Sequence, residues 1–372
     1  MSQVSRHLVI MAAGTGGHIM PGLAVAEEMK RRGWTVSWLG TTGGMENRLV
    51  PPSGIPMDTI AFNGLRGKSL KDTVFGGVRL LKAFADCWSV LRRRQASAVL
   101  GMGGYVCFPG GLMGVARGLP LVLVNADAAL LLSNRMLLPI TDVLACGFDG
   151  PAAQHKVARV TGNPVRTEIE AIAPPAERFA GRTGPLRVLI VGGSLGARKI
   201  NEALPEALAL IPPDQRPHIT HQTGMANLQA VKTAYLAAGL DPARDVEVLP
   251  FINNMAQRLA ECDVIIGRAG AITVSELCAA GVPSILIPLV VSTTAHQRDN
   301  AVFMASHGAA IHLPQSDLSP ATLAAQIQQL DRSTLATMAD KARALARTKS
   351  AAAVADAIEQ HVKPQTTAKA AP

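Results

Sequence analysis

Residues 7–22 read HLVIMAAGTGGHIMPG, a short apolar run that passes directly into a glycine-rich turn with a single histidine. The apolar run predicts a buried strand. The following residues 21–33, PGLAVAEEMKRRG, predict its helix, with Pro21 near the first helical position and Gly33 as the cap at its end. Glycines between a strand and a helix let backbone N–H groups approach an anion at the positive end of the helix. The alternative interpretation is a tight turn without a ligand.

The same architecture occurs a second time in residues 186–204, LRVLIVGGSLGARKINEAL. Further strands are expected at TVSWLG (35–40), SAVLGMGG (97–104), LPLVLV (119–124) and DVLACGF (142–148). Apolar runs that alternate with helix-period segments are typical of parallel sheets. The predicted fold class is therefore α/β, with two Rossmann-like doubly wound parallel-sheet domains facing across a cleft. Ligands of such sheets bind at the carboxyl ends of the strands.

The domain boundaries follow from a change in composition. Residues 162–185, GNPVRTEIEAIAPPAERFAGRTGP, are rich in proline, glycine and charge, which is typical of a linker. We expect an N-terminal domain over 1–163, a linker over 164–185, a C-terminal domain over 186–350, and a C-terminal helix with a disordered tail over 351–372.

The composition narrows the class of partner. A chain of 372 residues is expected to form two domains. Its net charge of +9 favours an anionic partner. Aromatic residues make up only 3% of the chain, which leaves little stacking surface for single-stranded nucleic acid, and no nucleic-acid-binding motif occurs. We therefore predict no nucleic-acid partner.

The cysteines and the apolar runs bear on compartment and membrane contact. The five cysteines are widely spaced without a CxxC pair, which predicts reduced core thiols rather than a disulfide or zinc framework. The N-terminus shows no signal-peptide pattern. No apolar stretch reaches the ~18–20 residues that span a bilayer. Any membrane contact is therefore expected to be peripheral.

The glycine-rich turns do not match the common nucleotide fingerprints. No GxxxxGK[ST] sequence occurs, and after Gly14 and Gly16 the third glycine position of GxGxxG is Ile19. A P-loop enzyme and a hydride-transfer enzyme are both disfavoured. Because no DxD sequence occurs either, a metal-bridged diphosphate site has no obvious ligands, and we expect neither a metal nor a cofactor.

Six short motifs occur in a characteristic order, namely GTGGH, GLRGK, GMGGYV, GNPVR, VGGSLGAR and GAITVSE. Over residues 7–345 the chain resembles the MurG family of GT-B glycosyltransferases. These enzymes move N-acetylglucosamine from UDP to a lipid-linked muramyl-pentapeptide in peptidoglycan synthesis. The resemblance implies the GT-B fold, an inverting and metal-independent transfer, and a C-terminal half that holds the nucleotide sugar.

Residues 268–281, RAGAITVSELCAAG, combine a helix start with an acidic residue one turn inside it. Amides at a helix start near Thr273 would neutralise a diphosphate. However, Thr273-x-x-Glu276 is also a capping box, in which Glu276 folds back onto the first amide. The resemblance implies instead that Glu276 accepts hydrogen bonds from the ribose hydroxyls. The substrate-binding residues expected here are Ala271, Ile272, Thr273, Val274, Ser275 and Glu276.

The resemblance assigns four further residues to the donor, UDP-N-acetylglucosamine. Ser194 in the second glycine loop and Arg166 in GNPVR resemble donor-binding residues, although Leu195 replaces a glutamine that is common in the family. Ile252 resembles a residue whose backbone reads uracil, and Gln297 one that binds the sugar hydroxyls. Without the resemblance, Arg166 would be interpreted as a solvated linker charge, Ile252 as a core residue and Gln297 as a surface residue.

His18 in the first glycine turn is the predicted catalytic residue. The acceptor hydroxyl must lose a proton as it attacks the anomeric carbon, and a positioned base assists this step. The helix dipole disfavours the charged form of a histidine at a helix N-terminus, so that the ring stays neutral. Thr15, Gly16 and Gly17 would offer amides either to the diphosphate of the acceptor or to the incoming donor. The alternative is a purely structural role for His18.

The chain departs from the family pattern at residues 124–127, which read VNAD where the family commonly has HEQN. Asn125 replaces a glutamate considered for catalysis, so a carboxylate base at this position is absent. This shifts the expected proton acceptance to His18. Asp127 stands at the position of the family's donor-contacting asparagine and is predicted to accept a hydrogen bond from a sugar.

Residues 62–94 mix apolar with basic side chains. The apolar ones are Val74, Phe75, Val78, Leu81, Phe84 and Trp88, and the basic ones are Arg66, Lys68, Lys71, Arg79, Lys82, Arg92, Arg93 and Arg94. A basic rim around exposed apolar residues favours an anionic membrane surface, where each basic residue contributes roughly 1 kcal/mol. The alternative is an amphipathic helix with its apolar stripe in the core. The expected location is the cytoplasmic face of the cell membrane.

The predicted reaction is attack of the muramyl 4-hydroxyl of undecaprenyl-pyrophosphoryl-muramyl-pentapeptide (lipid I) on C1 of UDP-N-acetylglucosamine, with inversion, to give lipid II. Two alternatives stay open from sequence. A GT-B epimerase would convert the sugar nucleotide without a lipid acceptor. A non-enzymatic nucleotide- or lipid-binding module would keep both glycine loops and show no turnover.

Overall fold

The computed structural model describes residues 6–62, 70–127, 129–192, 197–289 and 296–362, with side chains of the 70–76 segment left out. The chain forms two compact units. The first contains Met1–Pro164 together with Lys349–Pro372, and the second contains Val165–Thr348.

The first unit is built on a parallel sheet of seven strands in the order β3-β2-β1-β4-β5-β6-β7. Its strands are β1 (His7–Ala12), β2 (Thr35–Thr41), β3 (Met57–Ile60), β4 (Ala98–Gly103), β5 (Leu121–Asn125), β6 (Val143–Cys146) and β7 (Ala158–Val160). The helices between them are α1 (Gly16–Arg31), α2 (Glu46–Leu49), α3 (Leu70–Arg93), α4 (Cys107–Ala116) and α5 (Leu132–Leu137).

Both faces of this sheet are buried, as expected for a parallel sheet covered by helices. Successive residues of β1 alternate between two apolar clusters, because side chains of a strand point to opposite faces in turn. Leu8 and Ile10 belong to the cluster that includes residues of α1. Val9 and Met11 belong to the cluster that includes residues of α3 and α4. The strand that precedes the glycine turn is therefore fixed on both sides.

The second unit is built on a parallel sheet of six strands in the order β10-β9-β8-β11-β12-β13. Its strands are β8 (Arg187–Val191), β9 (His218–Gln222), β10 (Val246–Leu249), β11 (Val264–Gly267), β12 (Ser284–Leu286) and β13 (Ala310–His312). Its helices are α6 (Thr167–Glu170), α7 (Pro175–Phe179), α8 (Arg198–Ala209), α9 (Leu228–Ala237), α10 (Met255–Glu261), α11 (Ala271–Ala280), α12 (His296–Ser306), α13 (Pro320–Gln328) and α14 (Arg332–Ala344).

Each sheet reverses its strand order at one point, between β1 and β4 in the first unit and between β8 and β11 in the second. This is the doubly wound arrangement, in which ligands bind beyond the carboxyl ends of the strands beside the reversal. α1 follows β1, and α11 follows β11. The N-termini of both helices are thus at the ligand-binding edge of their own sheet. The predicted α/β class is confirmed.

The last helix, α15 (Ser350–His361), belongs to the first unit although it follows the second in sequence. Val354 and Ile358 are fully buried in the cluster that also contains Leu8 and Ile10. Arg32, just after α1, donates to the carboxylates of Asp356 (2.6 Å) and Glu359 (2.7 Å) on α15. The C-terminal helix expected from sequence therefore completes the core of the first unit, and residues 363–372 lie outside the described part of the chain.

Two local expectations are corrected. α1 begins at Gly16, so Pro21 lies inside the helix rather than near its first position. Burial of Ile19 in the core outweighs the preference for extended backbone before a proline. Residues 164–185 do not form a separate linker, since from Val165 onward they belong to the second unit and contain α6 and α7. Here the buried guanidinium of Arg178 donates to the carbonyl of Ala280, at the negative end of α11.

Candidate active site

The turn after β1 presents backbone amides at the start of α1. Gly14 has φ +100°, a left-handed conformation that favours glycine, and Thr15 is the extended residue before the helix. No side chain caps this end, and the first turn contains no acidic residue. Among the described residues, the N–H groups of Gly16 and Gly17 have no hydrogen-bond partner. The predicted anion-binding amides are thus free to bind a ligand.

His18 is the third residue of α1 and is partly buried against the end of β4. Its Nδ1 lies 3.2 Å from the carbonyl oxygen of Ala13. Because a carbonyl only accepts, this contact favours a proton on Nδ1 and leaves the lone pair on Nε2. Burial lowers the pKa of His18 below 6.5, against the opposing effects of Ala13, Asp127 and Glu46. The neutral ring expected from the helix dipole is therefore also favoured by burial.

The ring of His18 lies where only glycine fits on the neighbouring strand. A Cβ on Gly103 would lie 2.5 Å from Cδ2 and 2.7 Å from Nε2 of His18. Gly103 has φ +131°, and its carbonyl accepts from the N–H of Ala13 (3.2 Å). The GTGGH and GMGGYV motifs therefore meet at the ring of His18.

Sequence reasoning missed Glu46, which is fully buried at the start of α2. Its Oε2 accepts from the N–H of Gly14 (3.0 Å), and its Oε1 accepts from the N–H (2.8 Å) and the hydroxyl (2.7 Å) of Thr41. Burial alone would raise the pKa of Glu46, but these hydrogen bonds bring it below its ordinary value. An ionised carboxylate thus holds the turn that leads into α1.

Asn125, which departs from the family pattern, organises the loop after β5. Its fully buried amide nitrogen donates to the carbonyls of Asp127 (2.6 Å) and Ala129 (3.0 Å). Its amide oxygen accepts from the N–H of Leu131 (3.0 Å) and the amide of Asn134 (3.1 Å). A glutamate could not donate to these carbonyls. In this chain residue 125 positions the backbone around the partly buried Asp127.

The start of α11 excludes the capping-box alternative. The residue before the helix is Gly270, so Thr273 is the third helical residue rather than the cap. Among the described residues, the N–H groups of Ala271, Ile272 and Thr273 have no hydrogen-bond partner, and the first turn has no acidic residue. These three residues present free amides, as the first turn of α1 does. The other two predicted residues of this turn are engaged, since Val274 is fully buried and the hydroxyl of Ser275 donates to its own helix.

Glu276 is paired with Arg166, and both were predicted to contact the donor. Oε1 of Glu276 accepts from Nε (3.1 Å) and Nη2 (3.0 Å) of Arg166. The two side chains are 16% and 17% exposed. Burial raises the pKa of Glu276, and Arg166 only partly offsets this effect. Because its carboxylate is paired with Arg166, Glu276 does not fold back onto the first amide of its own helix.

Two of the remaining predicted donor residues, Ile252 and Gln297, are described by the structure. Ile252 is buried after β10, and Oε1 of Gln297 accepts from the N–H of Leu289 (2.9 Å), which leaves its amide nitrogen as a donor. Ser194 and Leu195 lie outside the described residues, so their predicted roles stay predictions.

α3 divides its apolar residues between core and surface. Ala83, Cys87, Val90 and Leu91 are buried, whereas Val78 and Leu81 are 62% and 69% exposed. Trp88 is 40% exposed beneath the guanidinium of Arg117, 5.0 Å from the ring centroid. We call Val78, Leu81 and Trp88 the α3 apolar face. The predicted Arg66 and Lys68 lie outside the described residues, as do the side chains of Lys71, Val74 and Phe75.

Among the described residues, no group of three or more His, Cys, Asp or Glu side chains has a metal-binding arrangement. No described helix combines the length and the apolar character needed to cross a bilayer.

Comparison with known proteins adds to this geometry. Residues 8–144 match the glycosyltransferase family 28 N-terminal domain, and residues 187–360 match the glycosyltransferase family 28 C-terminal domain. The chain is 67% identical over 362 residues to a protein of Methylibium petroleiphilum, covering 96% of this chain and 98% of that one. That relative is named UDP-N-acetylglucosamine–N-acetylmuramyl-(pentapeptide) pyrophosphoryl-undecaprenol N-acetylglucosamine transferase. The chain belongs to the MurG family. A relative of the same name from Chromobacterium violaceum is 60% identical over 356 residues, covering 96% of this chain and 98% of its own.

A solved structure of a MurG family member supports the fold. MurG of Acinetobacter baumannii is 36% identical, with a TM-score of 0.77 over 95% of this chain and 99% of that one. The chain is therefore a glycosyltransferase with the GT-B fold, as the six motifs predicted. Membership of the MurG family favours this reading over the epimerase and the non-enzymatic binding module.

Proposed function

We propose that the chain transfers N-acetylglucosamine from UDP-N-acetylglucosamine to the 4-hydroxyl of undecaprenyl-pyrophosphoryl-muramyl-pentapeptide, with inversion. The names of the two relatives in the MurG family support the two substrates. The observation that carries the chemistry is the contact of His18 Nδ1 with the carbonyl of Ala13, which leaves Nε2 to accept a proton, beside the free amides of Gly16 and Gly17. Burial supports this role, because it lowers the pKa of His18.

The proposed role of His18 is to accept the proton that the acceptor hydroxyl loses. As the acceptor oxygen forms its bond to C1, the hydroxyl proton passes to Nε2 of His18. The bond between C1 and the phosphate oxygen breaks, and UDP leaves with the electron pair. The carbonyl of Ala13 keeps the other ring nitrogen protonated and so orients the base.

The donor is proposed to bind to the second unit. The free amides of Ala271, Ile272 and Thr273 at the start of α11 would stabilise the diphosphate of UDP. Glu276 would accept hydrogen bonds from the ribose hydroxyls, with Arg166 beside it. Ser194, Ile252, Gln297 and, from the first unit, Asp127 complete the proposed set of substrate-binding residues.

We also propose that transfer needs no metal, because helix N-terminal amides supply positive electrostatic potential at the diphosphate. The protein would work as a peripheral protein at the cytoplasmic face of an anionic membrane, with the α3 apolar face against the lipid. The exposure of Val78 and Leu81 next to the basic residues Arg79 and Lys82 supports this orientation.

The direct test is an assay with UDP-N-acetylglucosamine and a lipid-linked muramyl-pentapeptide acceptor in the presence of EDTA. We expect product and a stoichiometric release of UDP. His18→Asn should lower kcat by roughly 100- to 10,000-fold with UDP binding retained, as for loss of a general base. The matched control His155→Asn changes an exposed histidine and should behave like wild type. Folded protein that binds UDP and forms no product would contradict the proposal.

A further inference from the structure

The environment of Glu46 is built around a charged side chain. The residue is 0% exposed, yet no Lys, Arg or His within the described ranges lies at ion-pair distance from its carboxylate. Three donors replace water, namely the amide of Gly14 and the amide and hydroxyl of Thr41. Burial of a charge is unfavourable unless such hydrogen bonds compensate it. An apolar side chain in this space would leave these donors without an acceptor, so the site is matched to a carboxylate.

The surrounding sequence leaves room for this carboxylate. A Cβ on Gly40 would lie 2.7 Å from Cγ of Glu46, and a Cβ on Gly44 would overlap the carboxylate itself. The segment GTTGGMEN, residues 40–47, therefore places small residues where the Glu46 side chain turns inward. These glycines leave space for the Glu46 side chain to reach its three donors.

Only one of these donors belongs to another part of the chain. Gly14 is 32 residues away and stands directly before Thr15, the residue that precedes α1. Gly14 has φ +100° and no side chain, and its amide is held by Oε2 of Glu46. The preceding residue, Ala13, is held separately by the carbonyl of Gly103, so the Glu46 carboxylate fixes the part of the turn that leads directly into α1. The direction of the amides of Gly16 and Gly17 follows from this turn.

We propose that Glu46 is a positioning residue, whose carboxylate holds the Gly14 turn so that the free amides of α1 and the ring of His18 meet the reacting groups. This rests on the proposed function of His18. In this role Glu46 touches neither substrate nor reacting atoms. It acts through the amide of Gly14, and through its charge on the ring of His18.

The charge of Glu46 should affect the pKa of His18, and a merely structural role of Glu46 would not change that pKa. Two carboxylates act on the ring of His18, Glu46 from α2 and Asp127 after β5, and both favour the protonated ring. Removal of the Glu46 charge should therefore lower the pKa of His18. The acid limb of kcat/KM, where His18 becomes protonated, should move to lower pH.

The first variant is Glu46→Gln, which keeps the shape of the side chain. An amide has one acceptor oxygen and one donor nitrogen, so it cannot accept from Gly14 and Thr41 on both sides. We expect kcat to fall by about 10- to 100-fold through misplacement of the turn, with the KM for UDP-N-acetylglucosamine and the affinity for UDP unchanged. The acid limb should shift to lower pH. The matched control is Glu27→Gln, an exposed charge on α1, which should keep the wild-type kcat and pH profile.

A second variant covers the case in which Glu46→Gln does not fold. Thr41→Val removes one donor at 2.7 Å and leaves the carboxylate and its bond to Gly14 in place. It should lower kcat in the same direction but less, whereas Thr41→Ser, which keeps the hydroxyl, should restore it. NMR titration of the His18 ring in Glu46→Gln gives a readout that does not depend on turnover.

The outcomes separate this proposal from the proposed function. Wild-type turnover with a normal kcat and an unshifted acid limb in a folded Glu46→Gln would overturn the positioning role. If that variant is unfolded, a wild-type kcat in Thr41→Val would overturn it. Absence of wild-type turnover would instead overturn the proposed function, and a lowered His18 pKa in Glu46→Gln would then still support the link between the two residues.

Discussion

The carboxylate of Glu276 accepts two hydrogen bonds from the guanidinium of Arg166, across 110 residues of sequence and within one unit. Both residues were predicted to bind the donor, and the structure brings them together. Arg166 fixes the position of a carboxylate that burial would otherwise favour in its neutral form.

Loss of the Glu276 charge should weaken nucleotide binding. Glu276→Gln removes the charge-assisted hydrogen bonds proposed for the ribose, each worth about 1.5–3 kcal/mol, so the Kd for UDP should rise at least tenfold. Protonation of Glu276 should weaken the binding of UDP to the wild-type protein. Because burial raises the pKa of Glu276, this loss of affinity should begin at a higher pH than it would for an ordinary glutamate. Isothermal titration calorimetry measures both effects. The control Glu206→Gln changes an exposed charge on α8, and an equal loss in both variants would contradict the assignment.

The space beside His18 can be tested with two glycines. Gly103→Ala and Gly118→Ala both place a side chain at positive φ, +131° and +73°, which should reduce stability in each case by roughly 1 kcal/mol. Only Gly103→Ala directs its Cβ into the ring of His18, while Gly118 has nothing within 4 Å. We expect kcat to fall by roughly 100-fold in Gly103→Ala alone. Steady-state kinetics at matched fractions of folded protein compare the two variants. Equal kcat values would contradict a catalytic role of the His18 ring.

The loop after β5 depends on the amide of Asn125. Asn125→Asp keeps the shape of the side chain but replaces a donor to Asp127 and Ala129 by a second oxygen. A buried charge facing two carbonyls should lower the free energy of unfolding by roughly 3 kcal/mol. Thermal melting followed by circular dichroism measures this. The exposed control Asn254→Asp should melt like wild type, and a wild-type melt of Asn125→Asp would show that the amide is dispensable.

A buried histidine in the second unit predicts acid sensitivity. His221 is fully buried, with Nδ1 2.9 Å from the hydroxyl of Tyr235 and Nε2 3.1 Å from Oδ1 of Asn201. Burial lowers the pKa of His221 to about 3. Since the folded pKa lies below the unfolded value near 6.5, its stabilising effect is present above pH 6.5 and lost as the pH falls towards 3.

The size of this effect can be measured by urea unfolding at several pH values. Stability should fall by up to about 1.4 kcal/mol per pH unit below 6.5 from this group. His221→Gln cannot titrate, so its stability should vary less with pH. The control His218→Gln replaces an exposed histidine on the same strand and should keep the wild-type slope. Identical slopes in wild type and His221→Gln would refute the assignment.

The α3 apolar face should contribute to vesicle binding. Leu81 is 69% exposed, so Leu81→Glu should leave the fold intact and weaken sedimentation with phosphatidylglycerol vesicles at least tenfold, because burial of a leucine contributes roughly 1.5–3 kcal/mol. Leu236 on α9 is similarly exposed at 62%, and Leu236→Glu is the matched control. Equal binding by the two variants would place the membrane contact elsewhere.

The α/β class was predictable because the strands are short, apolar and regularly followed by helices. Both faces of β1 are buried, so its whole run is apolar and easily recognised. The short strands β3 and β7 were missed, since each contains polar residues and lies at an edge of its sheet. The start of α1 was predicted too late in the sequence, because Pro21 is of the residue type that usually marks the first helical turn. The helix begins earlier, at Gly16, where burial of Ile19 stabilises the turn before the proline.

His18 and Glu276 could be proposed as site residues from sequence because each stands in a motif whose residue types supply the chemistry, and their roles stay predictions. The partners of these residues could not be proposed in this way, because Arg166 pairs with Glu276 and Gly14 with Glu46 over distances that no local pattern encodes. The signal for Glu46 was indirect. An acidic residue preceded by glycines at 40, 43 and 44 is more often a surface turn, and only the fold shows that the side chain points inward.

The position of α15 has a consequence for biosynthesis. Val354 and Ile358 contribute to the same core as Leu8 and Ile10, which are separated from them by the whole of the second unit. As the chain emerges from the ribosome, the part made first cannot close its core until the part made last has been translated. The second unit, which is continuous in sequence, can complete its fold before the first. Premature termination near residue 348 would thus leave the N-terminal sheet with an uncovered apolar surface and make it a substrate for chaperones and proteases.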